Sequence, residues 1–342
     1  MKLDEVVKHF LNDARLNNRT DNTLTIYQHG LSVLLRLLEQ GIKDTKGSLL
    51  CITELEQVTV FHLRECVRLL STPLAFEDGR VDRPAYRRGR RPVNGSTLSV
   101  TSIRSYVRVW KAFFHWCYQE ELIESNIVAR LKMPKPEKRV IVAFTEEHIE
   151  RMIASCDIST GLGFRDYVIV MLLLDTGIRL SEICGLRVGD IHDGYIKVFG
   201  KGRKEREVGI YPEVGKLLWK YIHKYRKPAN SDEAALFIGR HGEALQVGGV
   251  KQIIERVKED SGIGGVRVSA HTFRHTFAKM YLDQGGELFK LSRELGHSDI
   301  QVTAREYLAD FGSSEARKDH NSYSPIAYLR SKKQKQRKQK KQ

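Results

Sequence analysis

The chain has 342 residues, 57 Lys plus Arg against 42 Asp plus Glu, and a formal net charge of +15. Its length predicts two domains, and a hydrophobic fraction of 41% with 13 Tyr, 13 Phe and 3 Trp excludes a wholly disordered chain. No apolar run reaches the roughly 18 to 20 residues of a membrane span, and the opening MKLDEVVKHF lacks the apolar stretch of a secretory signal, so a cytoplasmic protein is expected. Cys51, Cys66, Cys117, Cys156 and Cys184 are odd in number, widely spaced and without a Cys-x-x-Cys pair, which indicates reduced thiols rather than a disulfide framework or a zinc site.

The positive charge is uneven. Residues 1–134 carry 20 basic and 15 acidic side chains, residues 135–330 carry 30 and 27, and residues 331–342, SKKQKQRKQKKQ, carry seven basic and no acidic ones. That tail has no apolar residue, cannot offset the entropy of folding and is expected to be disordered. It reads as a solubilising end, as a non-specific DNA contact, or as both.

In chain order, Leu24, Tyr27, Leu31, Leu34, Leu35 and Leu38 recur at helical spacing before Gly41 and predict a helix over 22–41. A second helical pattern covers 54–70. Over 99–121, Ile103, Val107, Trp110, Phe114 and Cys117 form one stripe, while Arg104, Arg108, Lys111 and His115 form an adjacent basic one. Such a row of cations suits phosphate oxygens along a duplex, or is simply solvated. Residues 73–97 break the pattern with Pro73, Pro84, Pro92, Gly79, Gly89 and Gly95 among Arg80, Arg83, Arg87, Arg88, Arg90 and Arg91. This long loop is either a disordered surface insertion or a groove or phosphate contact that orders on binding. KMPKPEKR, residues 132–139, reads as an extended linker. The boundaries follow: a helical domain over 1–134, a linker over 135–140, a second domain over 141–330 and the basic tail over 331–342.

Beyond the linker, Thr145 suits a helix cap and RDYVIVMLLLDTG reads as a buried helix ending at Gly177. GYIKVFGKGRKEREVGI alternates around a Gly-Lys-Gly turn, the pattern of a hairpin, before helical patterns resume near 212. The fold class predicted is mainly α, with a small antiparallel β-sheet in the second domain.

Four stretches of that domain hold groups suited to phosphodiester chemistry. In DTGIRLSEICGL, Arg179 begins a helix with Glu182 three residues on, which reads as an anion site or as a structural salt bridge. Lys201 sits between two glycines at the hairpin tip, where the sequence alone equally suits turn geometry. In AHTFRHTFA, His271 and Arg274 lie three apart and so project to a common side; His271 and His275 lie four apart, yet no Glu completes a metalloprotease motif. In LSRELGHSDIQVTAREYLAD one helix ends at Gly296, His297 sits at the joint, Ser298 and Gln301 make a capping box, and Tyr307 lies ten residues after His297.

The ordered set of Arg179 with Glu182 in TGIRLSEICGL, Lys201 in GKGRKER, His271 and Arg274 in HTFRH, His297 in LGHS and Tyr307 in REYL resembles the tyrosine recombinase (phage integrase) family. The helical first domain resembles that family's core-binding domain, so the likeness spans roughly residues 5–312. It implies a two-domain DNA clamp in which Tyr307 attacks the scissile phosphate, Arg179 and Arg274 stabilise it, Lys201 protonates the leaving oxygen, and His271, His297 and Glu182 assist. The bond is conserved in a 3′-phosphotyrosyl intermediate, so no cofactor, neither ATP nor metal, is expected.

The partners implied are double-stranded DNA recombination sites, further copies of the chain (a monomer or dimer on each site and a tetramer in the synapse) and an accessory DNA-bending or directionality protein. No membrane partner is expected, and the protein would be nucleoid-associated. The first domain's candidate DNA contacts are Arg104, Arg108, Lys111, Arg87, Arg88, Arg90 and Arg91. An integrase or transposase of a mobile element is the leading reading. A Xer-like chromosome dimer resolvase, a non-catalytic architectural DNA-binding protein and a type IB topoisomerase are the alternatives. Tyr323, Ile326, Tyr328 and Leu329 lie on a short amphipathic segment that packs on a neighbouring protomer in the family, or on its own domain.

Overall fold

The computed structural model describes residues 1–43, 48–72, 98–135, 141–200, 204–297 and 299–307, without the side chains of Lys43 and of residues 305–307. The chain divides into two compact units, Met1–Arg139 and Val140–Gln342. Among the described residues no helix is long and apolar enough to cross a membrane.

The first unit contains α1 (Leu3–Leu16), α2 (Asp21–Glu39), α3 (Val60–Leu70) and α4 (Val100–Gln119). Thr20, Thr59 and Ser99 cap the last three, each side chain accepting the N–H three residues on. The apolar stripe of α4 is buried as its periodicity predicts, and Val109 and Phe113 join it. Glycine at position 30 permits this, because a Cβ there would lie 2.9 Å from Val109. Trp110 buries its ring beside it and donates Nε1–H to the Gly30 carbonyl at 2.9 Å, so its indole nitrogen is not stranded. Phe10, from α1, meets Phe113 and Trp116 edge-on and closes this core.

Two local features differ from the pattern read in the sequence. The helix expected over 54–70 begins only at Val60, because Val58 and Thr59 are extended and Thr59 caps it; a separate 3-10 turn covers Leu55–Gln57. The first unit also holds a short antiparallel pair, β1 (Ile42–Lys43) and β2 (Leu49–Leu50), although a sheet was expected only in the second domain. Two-residue strands are too short for alternation to announce them.

The second unit opens with α5 (Glu146–Ala154), where Thr145 completes a capping box with His148. The central helix α6 (Gly161–Thr176) buries Val168, Ile169, Val170, Leu172 and Leu173, leaving almost no polar face. It packs against α8 (Pro212–Lys220) and α10 (Ala270–Asp283) and stops at Gly177, whose φ of 58° is left-handed. Around it lie α7 (Leu180–Gly185), the antiparallel hairpin of β3 (Tyr195–Phe199) and β4 (Glu205–Gly209), α9 (Val247–Ser261), α11 (Leu288–Leu295) and α12 (Ile300–Tyr307). The fold is thus mainly α with a small antiparallel sheet in this unit. All five cysteines are free thiols, and burial pushes Cys66 and Cys117 up to about 12, which removes the thiolate needed for nucleophilic chemistry.

Candidate active site

Helix C-termini leave carbonyls without intrahelical partners, and two such ends meet in the second unit. α6 ends at Gly177 and α11 at Gly296, the latter with φ 64°. Three guanidiniums take up the exposed carbonyls. Arg274 donates Nη1–H to Gly177 at 3.0 Å and Nη2–H to Leu295 at 2.6 Å. Arg179 donates Nη2–H to Gly296 at 3.1 Å, and Arg206 donates Nε–H to Glu294 at 2.9 Å. Cations at helix C-termini also meet the negative end of the macrodipole, which favours this gathering electrostatically.

Glu182 ties two of these arginines together. Its side chain is 2% exposed and accepts from Arg206 Nη1 at 2.8 Å, Arg206 Nη2 at 3.0 Å, Arg179 Nη1 at 3.0 Å and the Arg179 backbone N–H at 2.8 Å. Burial alone would push this carboxyl up. The Arg206 hydrogen bonds, the Arg179 N–H and the charge of both guanidiniums outweigh burial and hold it below the ordinary carboxylate range. The anion site and the salt bridge considered for Arg179 are therefore compatible. Arg179 remains 39% exposed and uses two of its five side-chain donors on Glu182 and Gly296, leaving others for an incoming oxyanion.

Arg274 is buried on α10, whereas His271, one turn earlier, is exposed. His297 stands just beyond Gly296, its backbone N–H donating to Ser292 at 3.0 Å. Its ring bridges two elements: Nε2 lies 2.8 Å from Arg274 Nη2, and Nδ1 lies 2.7 Å from Thr303 Oγ1 on α12. Tyr307 is the last described residue of α12. The side chain of Tyr307, all of Lys201, and Ser298 of the expected capping box lie outside the described residues; Asp299 accepts the Gln301 N–H at 2.9 Å. Arg179, Glu182, Arg274 and His297 are thus brought into one connected network.

In the first unit, the basic stripe of α4 is largely engaged. Arg104 donates to the Pro134 carbonyl, Lys111 donates to Leu131 at 2.8 Å, and His115 Nδ1 faces Asn126 at 3.3 Å. These contacts tack the segment after α4 onto the helix, while Arg108 is exposed. Arg87, Arg88, Arg90 and Arg91 lie outside the described residues, as do 313–342.

Two site residues escaped sequence reasoning. Arg206 is singled out by none of the motifs read in the sequence, yet it is the principal partner of Glu182. Its signal was alternation: it is in phase with buried Val208 on β4 and pairs with buried Val198, so a charge points inward where an apolar residue would ordinarily sit. Thr303 had no comparable signal.

Permanently charged guanidinium forks beside a histidine, joined through it to the helix that carries Tyr307, make an arrangement able to receive a phosphate-like oxyanion in a mainly helical protein. Residues 143–312 match the phage integrase family. Tyrosine recombinase XerD of Listeria monocytogenes serotype 4b (strain F2365) is 30% identical over 211 residues, which cover 60% of this chain and 70% of that protein. Two solved structures are similar in fold. The Tn1549 transposon integrase in complex with a circular intermediate DNA matches with a TM-score of 0.66 and 21% identity, covering 93% of this chain and 99% of that one. A lambda integrase dimer bound to a core site matches with 0.65 and 18%, covering 88% and 97%. The chain belongs to the tyrosine recombinase (phage integrase) family and is an enzyme of that type, cutting and rejoining DNA through a tyrosine-linked intermediate.

Proposed function

We propose that the protein is a site-specific recombinase of a mobile element, an integrase or transposase, using Tyr307 as nucleophile. The observation that carries the site assignment is the convergence of Arg179, Arg274 and His297 on the end of α11, from which α12 leads to Tyr307. Tyr307 Oη attacks the scissile phosphorus, the bond from phosphorus to the 5′-oxygen breaks, and Lys201 delivers a proton to that oxygen. Charge growing on the non-bridging oxygens is met by Arg179 and Arg274, held in advance by backbone carbonyls. Exposed His271 assists with the tyrosine proton or the phosphate, and Glu182 with Arg206 fixes Arg179. Attack by a 5′-hydroxyl of the partner strand reverses the step, and the number of phosphodiester bonds is unchanged, so the exchange draws on neither ATP nor metal.

The two units act as a clamp on duplex DNA, with boundaries near 134 and 141, and the protein works on DNA in the cytoplasm. Exposed Arg108, with Arg87, Arg88, Arg90 and Arg91, supplies phosphate contacts in the first unit, and the tail over 331–342 adds a non-specific one. Copies pair on each site and form a tetramer in the synapse, with an accessory bending or directionality protein setting the outcome. The fold is shared with a transposon integrase, as the mobile-element reading requires. A Xer-like chromosome dimer resolvase is the second reading, favoured by the sequence likeness to XerD.

Expression of the gene within its native flanking DNA separates these two. Appearance of a circular junction joining the flanks supports the mobile element; resolution of a plasmid dimer at a chromosomal site, with no junction from the flanks, supports the resolvase.

A further inference from the structure

The contacts of His297 determine where its ring proton lies. A guanidinium offers only donors, so at 2.8 Å from Arg274 Nη2 the Nε2 of His297 accepts. The neutral ring then carries its proton on Nδ1, and Nδ1–H donates to Thr303 Oγ1 at 2.7 Å. Thr303 is fully buried, so water does not replace it. It also stands out on its helix: Ile300, Gln301 and Val302 are exposed, which leaves Thr303 as the buried side chain among those described on α12. Thr303 lies four positions before Tyr307, about one turn earlier on α12.

We propose that Thr303 is a positioning residue for strand cleavage. By accepting the Nδ1 proton it holds His297 in one tautomer, whose Nε2 lone pair orients Arg274, and the same bond anchors the helix that carries Tyr307. A single hydroxyl thereby links the nucleophile's helix to the phosphate-binding arginine. The inference rests on the reading of Tyr307 as nucleophile, but the Thr303–His297 contact is measurable without it.

The test uses full-length protein with isotope-labelled histidine, and the variants Thr303→Val, which keeps the volume and removes the acceptor, and Thr303→Ser, which keeps the hydroxyl. Long-range proton–nitrogen spectra report the His297 tautomer, and covalent complex formation on nicked DNA reports cleavage, with DNA affinity measured separately. Wild type and Thr303→Ser are expected to show His297 protonated on Nδ1, and Thr303→Val to lose that fixed state. Cleavage by Thr303→Val should fall about tenfold or more while DNA affinity changes less than about twofold, and Thr303→Ser should recover most of the rate. Two results would overturn the proposal: His297 of the wild type protonated on Nε2, or Thr303→Val cleaving at the wild-type rate. A wild type that forms no covalent complex on any DNA would instead defeat the recombinase reading, while the nitrogen spectra would still decide the Thr303 contact.

Discussion

Arg206 grips both carboxylate oxygens of Glu182, Nη1 to Oε1 at 2.8 Å and Nη2 to Oε2 at 3.0 Å, while its Nε–H binds the Glu294 carbonyl. One side chain thus joins β4, α7 and the end of α11, the three elements that border the arginine network. Because β4 is paired with β3 in one hairpin, Arg206 also ties that hairpin to the carboxylate that orients Arg179.

Replacing Arg206 therefore has two expected effects. Arg206→Ala leaves Glu182 buried beside a single guanidinium, and loss of one partner from a buried pair costs about 3 kcal/mol. Urea unfolding should show that loss. Arg206→Lys cannot reproduce the fork and should cut covalent complex formation on the order of tenfold with DNA affinity little changed. Wild-type cleavage by Arg206→Lys would mean that the fork is dispensable to the reaction.

Acid stability follows from Glu182. Its folded carboxyl is held below the ordinary glutamate value of 4.5, so the stabilisation it provides is fully present above that value and disappears as pH falls through the lower folded value. Glu182→Gln should flatten the fall in unfolding free energy below about pH 4.5, and the two proteins should run parallel between about pH 6 and 8. Parallel curves throughout would show that Glu182 does not contribute to the acid limb.

Gly296 is constrained twice. Its φ of 64° is left-handed, and a Cβ there would lie 2.8 to 2.9 Å from the Arg206 guanidinium. Gly296→Ala should lose about 1 to 2 kcal/mol from backbone strain alone, and should also slow cleavage by displacing Arg206. Unchanged stability and rate would mean that the Arg206 guanidinium shifts without consequence.

Much of the scaffold was readable because local chemistry decides it. Gly177 and Gly296 end their helices with positive φ, Thr145 caps α5, and the α4 stripe is buried at its expected positions. Arg179, Glu182, Arg274 and His297 were recognisable as an ordered set. Their partners were not, since backbone carbonyls at 177 and 294–296 carry no side-chain signature and come within reach of the arginines only in the folded second unit. Arg104 and Lys111 illustrate the converse. Their spacing resembles a phosphate-binding stripe, yet both bond carbonyls in the segment after α4, a long-range choice that periodicity does not register.

The most direct test of the account is covalent capture. The protein is incubated with a nicked fragment library covering the DNA around its own gene, denatured, and the attached DNA sequenced, with Tyr307→Phe as the control. A nick next to the cleavage position lets the short strand diffuse away and traps the intermediate. The wild type is expected to retain one sequence through Tyr307, and Tyr307→Phe to retain none. Capture of many unrelated sequences, or equal capture by Tyr307→Phe, would contradict it.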